Sequence, residues 1–324
     1  MENVQQAESF VIPKKKKMAR HKTQGIFVLS FIAYPLILFI IFYVAVNINS
    51  IIMAFCETKL DGTQVFVGFK NFTTFWNNLT ESGSVVSVSL LNSLKMYAIN
   101  LVVCMPLYIF FSYLLYKKCF MHRTIRAIVM LPQIISGFVI CMLFVNFVSG
   151  DGAPLRVLFE KMGILVDADG VGLDLLYTEK YAFGTTIFYG IWLSFGTNLI
   201  VYPNAMKEIS PEIVESARLD GVTNMFQDLR YIVLPLIFPT LSTFLVTGLA
   251  SIFTDAGSIL GFYNTSAPEY VSNMGYYYAQ LVLNGNEISY PVLAAGGLIM
   301  TLIVAPLTIL LRFLLEKFGP TTEA

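Results

Sequence analysis

From Gly25 through Cys56 the chain carries no charged residue. Wound as a helix at about 1.5 Å per residue, such a stretch exceeds a hydrocarbon core of about 30 Å, so it can cross a bilayer with tilt or overhang. Five more apolar stretches follow, giving six in all over 26–50, 91–116, 127–149, 182–204, 232–253 and 291–315. Each supplies about the 20 residues of helix that a bilayer needs. A charge at the centre of such a span costs about 2.5–3.5 kcal/mol, against a few tenths gained per large apolar residue. The composition follows that constraint, with 56% hydrophobic and 13% charged residues, where soluble domains carry about 25% charged. The expected class is an all-α integral membrane protein with six transmembrane helices.

The first apolar region is too long for a cleaved signal peptide, and no small-residue cleavage site with suitable flanks follows it. A basic block, Lys14, Lys15, Lys16, Lys17, Arg20 and Lys22, directly precedes it. Such a block anchors topology in a membrane protein, and its placement gives no reason to invoke nucleic acid. With the N-terminus inside, the inner segments hold 15 Lys and Arg and the outer loops hold five. Both termini are therefore expected in the cytoplasm. The chain divides into a basic tail 1–24, a six-span domain 25–318 with an inner loop at 207–231, and a short cytoplasmic tail 319–324.

Several chemistries lack their residues. The cysteines Cys56, Cys104, Cys119 and Cys141 show no metal or redox spacing, and a thiol within an apolar run acts as a small hydrophobe. The two histidines, His21 and His122, sit in basic flanks. No Gly-x4-Gly-Lys-Ser/Thr phosphate loop occurs, so the chain does not use ATP by that route. No catalytic residue, metal site or cofactor is expected. Six acids in segment 150–181 lack the alternation of a calcium loop and read as solvated surface.

The inner loop between spans four and five has more structure than a connector needs. Ser210 is a favourable N-cap, Pro211 suits the first helical position, and Glu212 complements the positive helix end. Gly221 can stop that helix in the left-handed conformation, and a second short helix can begin near Thr223 and run to Pro235. The result is a helix–Gly–helix element on the inner face.

Glu215-Ser216-Ala217, then Gly221, then Ile232-Val233-Leu234-Pro235 resembles the Glu-Ala-Ala loop of binding-protein-dependent ABC importer permeases. Ser216 stands where that loop usually has Ala, and the ten residues between Gly221 and Ile232 are one more than usual. Val67-Gly68-Phe69-Lys70-Asn71-Phe72 is similar to an outer-loop signature of the maltose and glycerol-3-phosphate branch. Leu91-Asn92-Ser93-Leu94, Arg126 with Leu131-Pro132, and Trp192 with Gly196 and Asn198 extend the resemblance over nearly the whole chain.

The resemblance implies a type I importer fold with a short cytoplasmic coupling helix. It also implies a role as the permease subunit of an ATP-driven sugar or oligosaccharide importer, itself no enzyme. Glu215, Ser216, Ala217, Asp220 and Gly221 would dock on a separate ATPase. The implied partners are a second homologous permease, forming a heterodimer, two cytoplasmic ABC ATPase copies and an extracytoplasmic sugar-binding protein. The setting would be the lipid bilayer of a bacterial cytoplasmic membrane.

Within span four, Gly190, Ser194 and Thr197 share one helical face, with Trp192 and Asn198 beside them. Polar positions that interrupt apolar spans mark a substrate path, although small and hydroxyl residues also serve helix packing. Phe253, at the end of span five, is a further candidate. Of the five prolines in or beside spans, Pro35, Pro106, Pro132 and Pro203 can kink them, whereas Pro235 reads as a helix start. The competing class is a secondary transporter or channel subunit with no ATPase partner. Such proteins place ionisable residues inside spans, and here Lys95 is the one candidate.

Overall fold

The computed structural model describes residues 15–59, 61–285 and 287–320, with side chains from Gly25 onward except at Ile26. The tail 1–14, the basic side chains of the block 14–22 and residues 321–324 lie outside the described residues. The chain forms two units, Met1–Met53 and Ala54–Ala324. The first holds α1 (Lys15–Phe39), a π-helical stretch Ile40–Ala45 and most of α2 (Val46–Ala54). Its apolar side chains are exposed, with Phe27, Phe31 and Phe42 each at least 70% so, as a lipid-facing helix requires.

The second unit opens with a small antiparallel hairpin, β1 (Cys56–Thr58) on β2 (Gln64–Phe66), a departure from a purely helical chain. There follow α3 (Lys70–Thr80), α4 (Val85–Ile99), a π turn Asn100–Cys104 and α5 (Met105–Tyr116). Next come α6 (His122–Ile134), α7 (Gly137–Val148), α8 (Pro154–Met162), α9 (Glu179–Lys207), α10 (Pro211–Leu219) and α11 (Met225–Asp228). A second π turn, Leu229–Val233, leads into α12 (Leu234–Leu236), α13 (Phe238–Ala250), α14 (Ile259–Tyr263), α15 (Met274–Leu283) and α16 (Tyr290–Phe318).

Among the described residues three helices are long and apolar enough to cross a membrane, Phe27–Ala54, Val85–Tyr116 and Glu287–Phe318. Spans three and five are broken. The pair α6–α7 bends by 100° and the pair Met225–Leu236 with α13 by 69°. At the first break Ile135 is extended and is followed by Ser136-Gly137, a pair that commonly sits at sharp kinks. At the second, Pro239 opens α13 just after Ile237. Pro235 is therefore not the start of the span; it lies in the last turn before the bend. The fourth long element, α9, is more polar than the others because it carries Thr185, Thr186, Tyr189, Ser194, Thr197 and Asn198.

Both π turns are followed by proline at the same offset. Met105 donates its N–H five residues back to the Asn100 carbonyl, and Leu234 does the same to Leu229. The next residues, Pro106 and Pro235, have no N–H and would clash with a regular helical carbonyl four back. Widening the turn by one residue relieves that conflict.

The connections 55–84, 149–178 and 251–289 gather at one end of the helices, and short polar bonds close it. Asn71, 4% exposed, donates to the carbonyls of Ala54 (2.9 Å) and Cys56 (2.6 Å). Asn92 donates to Tyr270 O (3.0 Å) and Ser272 O (2.9 Å), and Ser93 Oγ accepts from the Met274 N–H (2.9 Å). Asp174 accepts from Ser149 Oγ and from the N–H groups of Gly150, Leu176 and Tyr177. Beneath these contacts Tyr189, Phe262, Tyr263 and Tyr276 form one aromatic-rich core. At the opposite end Tyr113, Tyr202, Met206, Ile209, Val233 and Ile237 form another. All four cysteines are free, with Cys104 and Cys141 buried.

Candidate functional site

Between the two cores the helices part around a cavity of about 340 Å³ with a mixed polar and apolar lining. From α4 and the first π turn come Tyr97, Asn100 and Leu101, and from α5 Met105 and Tyr108. α9 contributes Ser194, Thr197, Asn198 and Tyr202; α13 and the residue after it contribute Phe244, Leu245, Thr247, Gly248 and Ser251. A second cavity of about 210 Å³ shares Tyr97, Asn100, Gly248 and Ser251. It continues towards the loop end past Ser93, Asp255, Gly257 and Asn273. The two form one groove.

Helical spacing makes these walls. Tyr97, Asn100 and Leu101 fall at i, i+3 and i+4, and Phe244, Thr247, Gly248 and Ser251 at i, i+3, i+4 and i+7. Several wall groups satisfy their donors within their own helix: Asn198 on Ser194 O (2.9 Å), Thr247 on Thr243 O (2.7 Å) and Ser251 on Thr247 O (3.1 Å). Their oxygens keep lone pairs for a ligand. The Asn100 amide makes no hydrogen bond to a described residue, leaving both of its functions for the cavity. Apart from Asp255, no lining residue is charged.

Of the residues expected along a path, Ser194, Thr197 and Asn198 line the cavity. Gly190, Trp192 and Phe253 do not. The wall of α9 runs from Ser194 towards Tyr202, while its earlier turns pack: Trp192 meets Phe144 and Tyr189. Phe253 is 7% exposed, in a core with Phe75, Val86, Met274 and Met300. Gly196 admits the Gln133 side chain of the broken third span, whose amide donates to Leu193 O (3.1 Å) and Thr197 Oγ1. Span two and the part of span five from Phe244 to Ser251 also line the cavity, at positions the same periodicity reveals. Lys95 sets its ammonium 6.0 Å from the Phe183 ring, near the start of α9, and is not among the lining residues.

The loop after α9 forms as its local signals dictate. Ser210 Oγ accepts from the Glu212 N–H (3.3 Å), and α10 ends as Val222 N–H reaches Ala217 O (3.0 Å) with Gly221 at φ +95°. No residue of α10 is buried: Glu215, Ser216, Asp220 and Gly221 are exposed, Ala217 partly, and Leu219 is 89% exposed. The second helix begins at Met225 rather than near Thr223, because Asn224 and Gln227 form a capping box. The π turn Leu229–Val233 occupies the stretch where the sequence holds one residue more than the loop it resembles. A turn closed five residues back can absorb one extra residue.

A membrane-embedded helical bundle with a groove between spans two, four and five and a projecting helix is the architecture of a transport permease. The chain belongs to the family described as the binding-protein-dependent transport system inner membrane component, which matches residues 82–323. It is thus a multi-pass membrane permease of such a system and not an enzyme. This membership displaces the alternative of a secondary transporter or channel subunit.

The chain is 25% identical over 316 residues to the probable starch degradation products transport system permease protein AmyD of Thermoanaerobacterium thermosulfurigenes, covering 93% of this chain and 98% of that one. It is 24% identical over 302 residues to the arabinooligosaccharides transport system permease protein AraP of Halalkalibacterium halodurans, covering 90% and 86%. A crystal structure of a bacterial ABC transporter involved in the import of the acidic polysaccharide alginate contains a chain of the same fold. The TM-score is 0.77 at 22% identity, over 93% of this chain and 99% of that one.

Proposed function

We propose that this chain is one permease half of an ATP-driven importer of oligosaccharides built from uncharged sugars. The observation that carries the reading is the groove wall. It offers hydroxyls, amides and tyrosine rings, the groups that meet sugar hydroxyls and apolar sugar faces, and no cationic side chain. A carboxylate moving along it would lose water without a partner on this wall, which costs several kcal/mol. Asp255, beside the loop end, would repel it further. Relatives named for starch products and arabinooligosaccharides agree with that chemistry.

A single wall does not enclose a path, so a second permease would supply the other side. Substrate would arrive from an extracytoplasmic binding protein at the loop end. At the other end α10, exposed except where Val214 and Ala217 are half-buried, would dock through Glu215, Ser216, Ala217, Asp220 and Gly221 on one of two cytoplasmic ATPases. Small Ser216 and Ala217 allow close approach, and Glu215 can accept a charge-assisted hydrogen bond. The excess of basic residues in the inner segments supports a cytoplasmic position for both termini.

The test is uptake by the complete transporter in proteoliposomes. Maltotriose, arabinotriose or galactotriose should accumulate with ATP, and trigalacturonate should not. Uptake of trigalacturonate alone would overturn the uncharged class, and uptake of no sugar would overturn the importer reading itself.

A further inference from the structure

Asp228 ends α11 and is the one charged residue buried among the described residues, at 9% exposure. Its Oδ2 accepts from the Tyr113 hydroxyl and pairs with Lys117 Nζ at 2.6 Å. Tyr113 and Lys117 stand four apart at the end of α5, so they share one face. The Lys117 ammonium also lies 5.4 Å and 5.2 Å from the ring centres of Tyr113 and Tyr116. Arg218 of α10 is near enough to act on the Tyr113 hydroxyl, and the packing around the pair is apolar: Tyr113, Ile209, Val233 and Ile237 are core residues, with Val214, Met225 and Leu229 packed on them.

Apolar packing alone would join these segments more cheaply than a carboxylate stripped of water. What a hydrogen-bonded ion pair adds is a fixed register between its two sides. One side is the segment directly behind α10. The other is α5, about 18 Å long at 1.5 Å per residue, whose opposite end supplies Met105 and Tyr108 to the cavity. There the π turn Asn100–Cys104, lacking a regular bonding ladder, marks where α5 can swing against α4.

We propose that Asp228 is a positioning residue for coupling. Through Lys117 and Tyr113 it locks the segment behind α10 to α5, so that displacement of α10 turns α5 about the π turn and reshapes the cavity. This rests on the reading that α10 receives motion from an ATPase.

The experiment uses the complete transporter in proteoliposomes and needs no identified sugar. The four native cysteines are replaced, and Ser251→Cys places one thiol on the wall shared by both cavities. Its rate of labelling by N-ethylmaleimide is compared with and without vanadate-trapped nucleotide. The rate should change about fivefold or more in the parent, the scale of an ordinary allosteric coupling. In Asp228→Asn and in Lys117→Met the change should shrink to less than about twofold while ATP hydrolysis continues. The double variant Asp228→Lys with Lys117→Asp should recover it.

A nucleotide-dependent change that persists in both single variants overturns the proposal. So does a loss that the exchanged pair fails to restore, because that marks a merely structural role. If Asp228→Asn does not assemble, Lys117→Met decides alone, since that side chain is one-third exposed. A parent whose labelling ignores nucleotide removes the coupling reading, and this proposal with it.

Discussion

The side-chain amide of Asn92, midway along α4, donates to the carbonyl oxygen of Ser272 at 2.9 Å, joining positions 180 residues apart. The same amide reaches Tyr270 O, and Ser89 donates to Ser272 Oγ at 2.9 Å. Asn92→Leu preserves size and leaves two carbonyls without this donor in a site 4% exposed. Each such loss costs about 1–3 kcal/mol. The purified variant should unfold at a clearly lower temperature in detergent, and Ser89→Ala should cost less.

Gly275 opens the same end from another direction. A Cβ there would stand 2.6 Å from the Ala256 nitrogen, against backbone that cannot rotate away. Gly275→Ala should therefore destabilise by about 1–3 kcal/mol, the range for overpacking. Gly190→Ala, where a Cβ meets nothing within 4 Å, should leave the melting temperature unchanged. Thermal unfolding of the two side by side checks both, and equal loss would contradict the packing described.

At the exposed helix, Gly221 holds φ +95°. A Cβ there costs about 1–2 kcal/mol in the left-handed region. The cap sets the exit of the chain from α10, so Gly221→Ala should reduce the amount of ATPase that co-purifies with the permease. Full retention of ATPase would show that α10 does not carry the docking.

The widened turn makes a prediction about length. Removing Tyr231, 65% exposed, should leave Asp228 on Lys117 and give Pro235 a kinked turn in place of the widened one. Assembly should persist at about half the parental level or better, because a single-residue bulge is a local feature. Removing Ser216 instead shifts every later residue of α10 by about 100° around its axis and should abolish ATPase co-purification. Assembly of both deletions can be read from one pull-down.

How much of this was legible in the sequence depends on the range of the forces involved. The apolar runs of spans one, two and six, the Ser210 cap and the Gly221 stop are local, and each formed where its residues indicate. The breaks in spans three and five were less visible, because Ser136-Gly137 and Ile237 are unremarkable until neighbours bend the chain around them. Of the span-four candidates, Ser194, Thr197 and Asn198 line the cavity and Gly190 and Trp192 do not, since helical spacing does not say where along a face packing yields to space. Tyr97, Asn100, Thr247 and Ser251 were readable by the same periodicity. Asp228 was not, because its meaning resides in Lys117 and Tyr113, more than a hundred residues earlier.

The bond between Asn92 and Ser272 also sets an order of events during synthesis. Span two leaves the ribosome and can enter the bilayer long before residues 270–274 exist. Until then Asn92, Ser89 and Ser93 sit near one end of that helix with polar groups unmatched, and contacts so distant in sequence are slow to form. The loop end is thus a late seal, completed only when almost the whole chain has been made. A nascent chain stalled before Tyr270 should present those groups to membrane quality control, while the finished permease hides them.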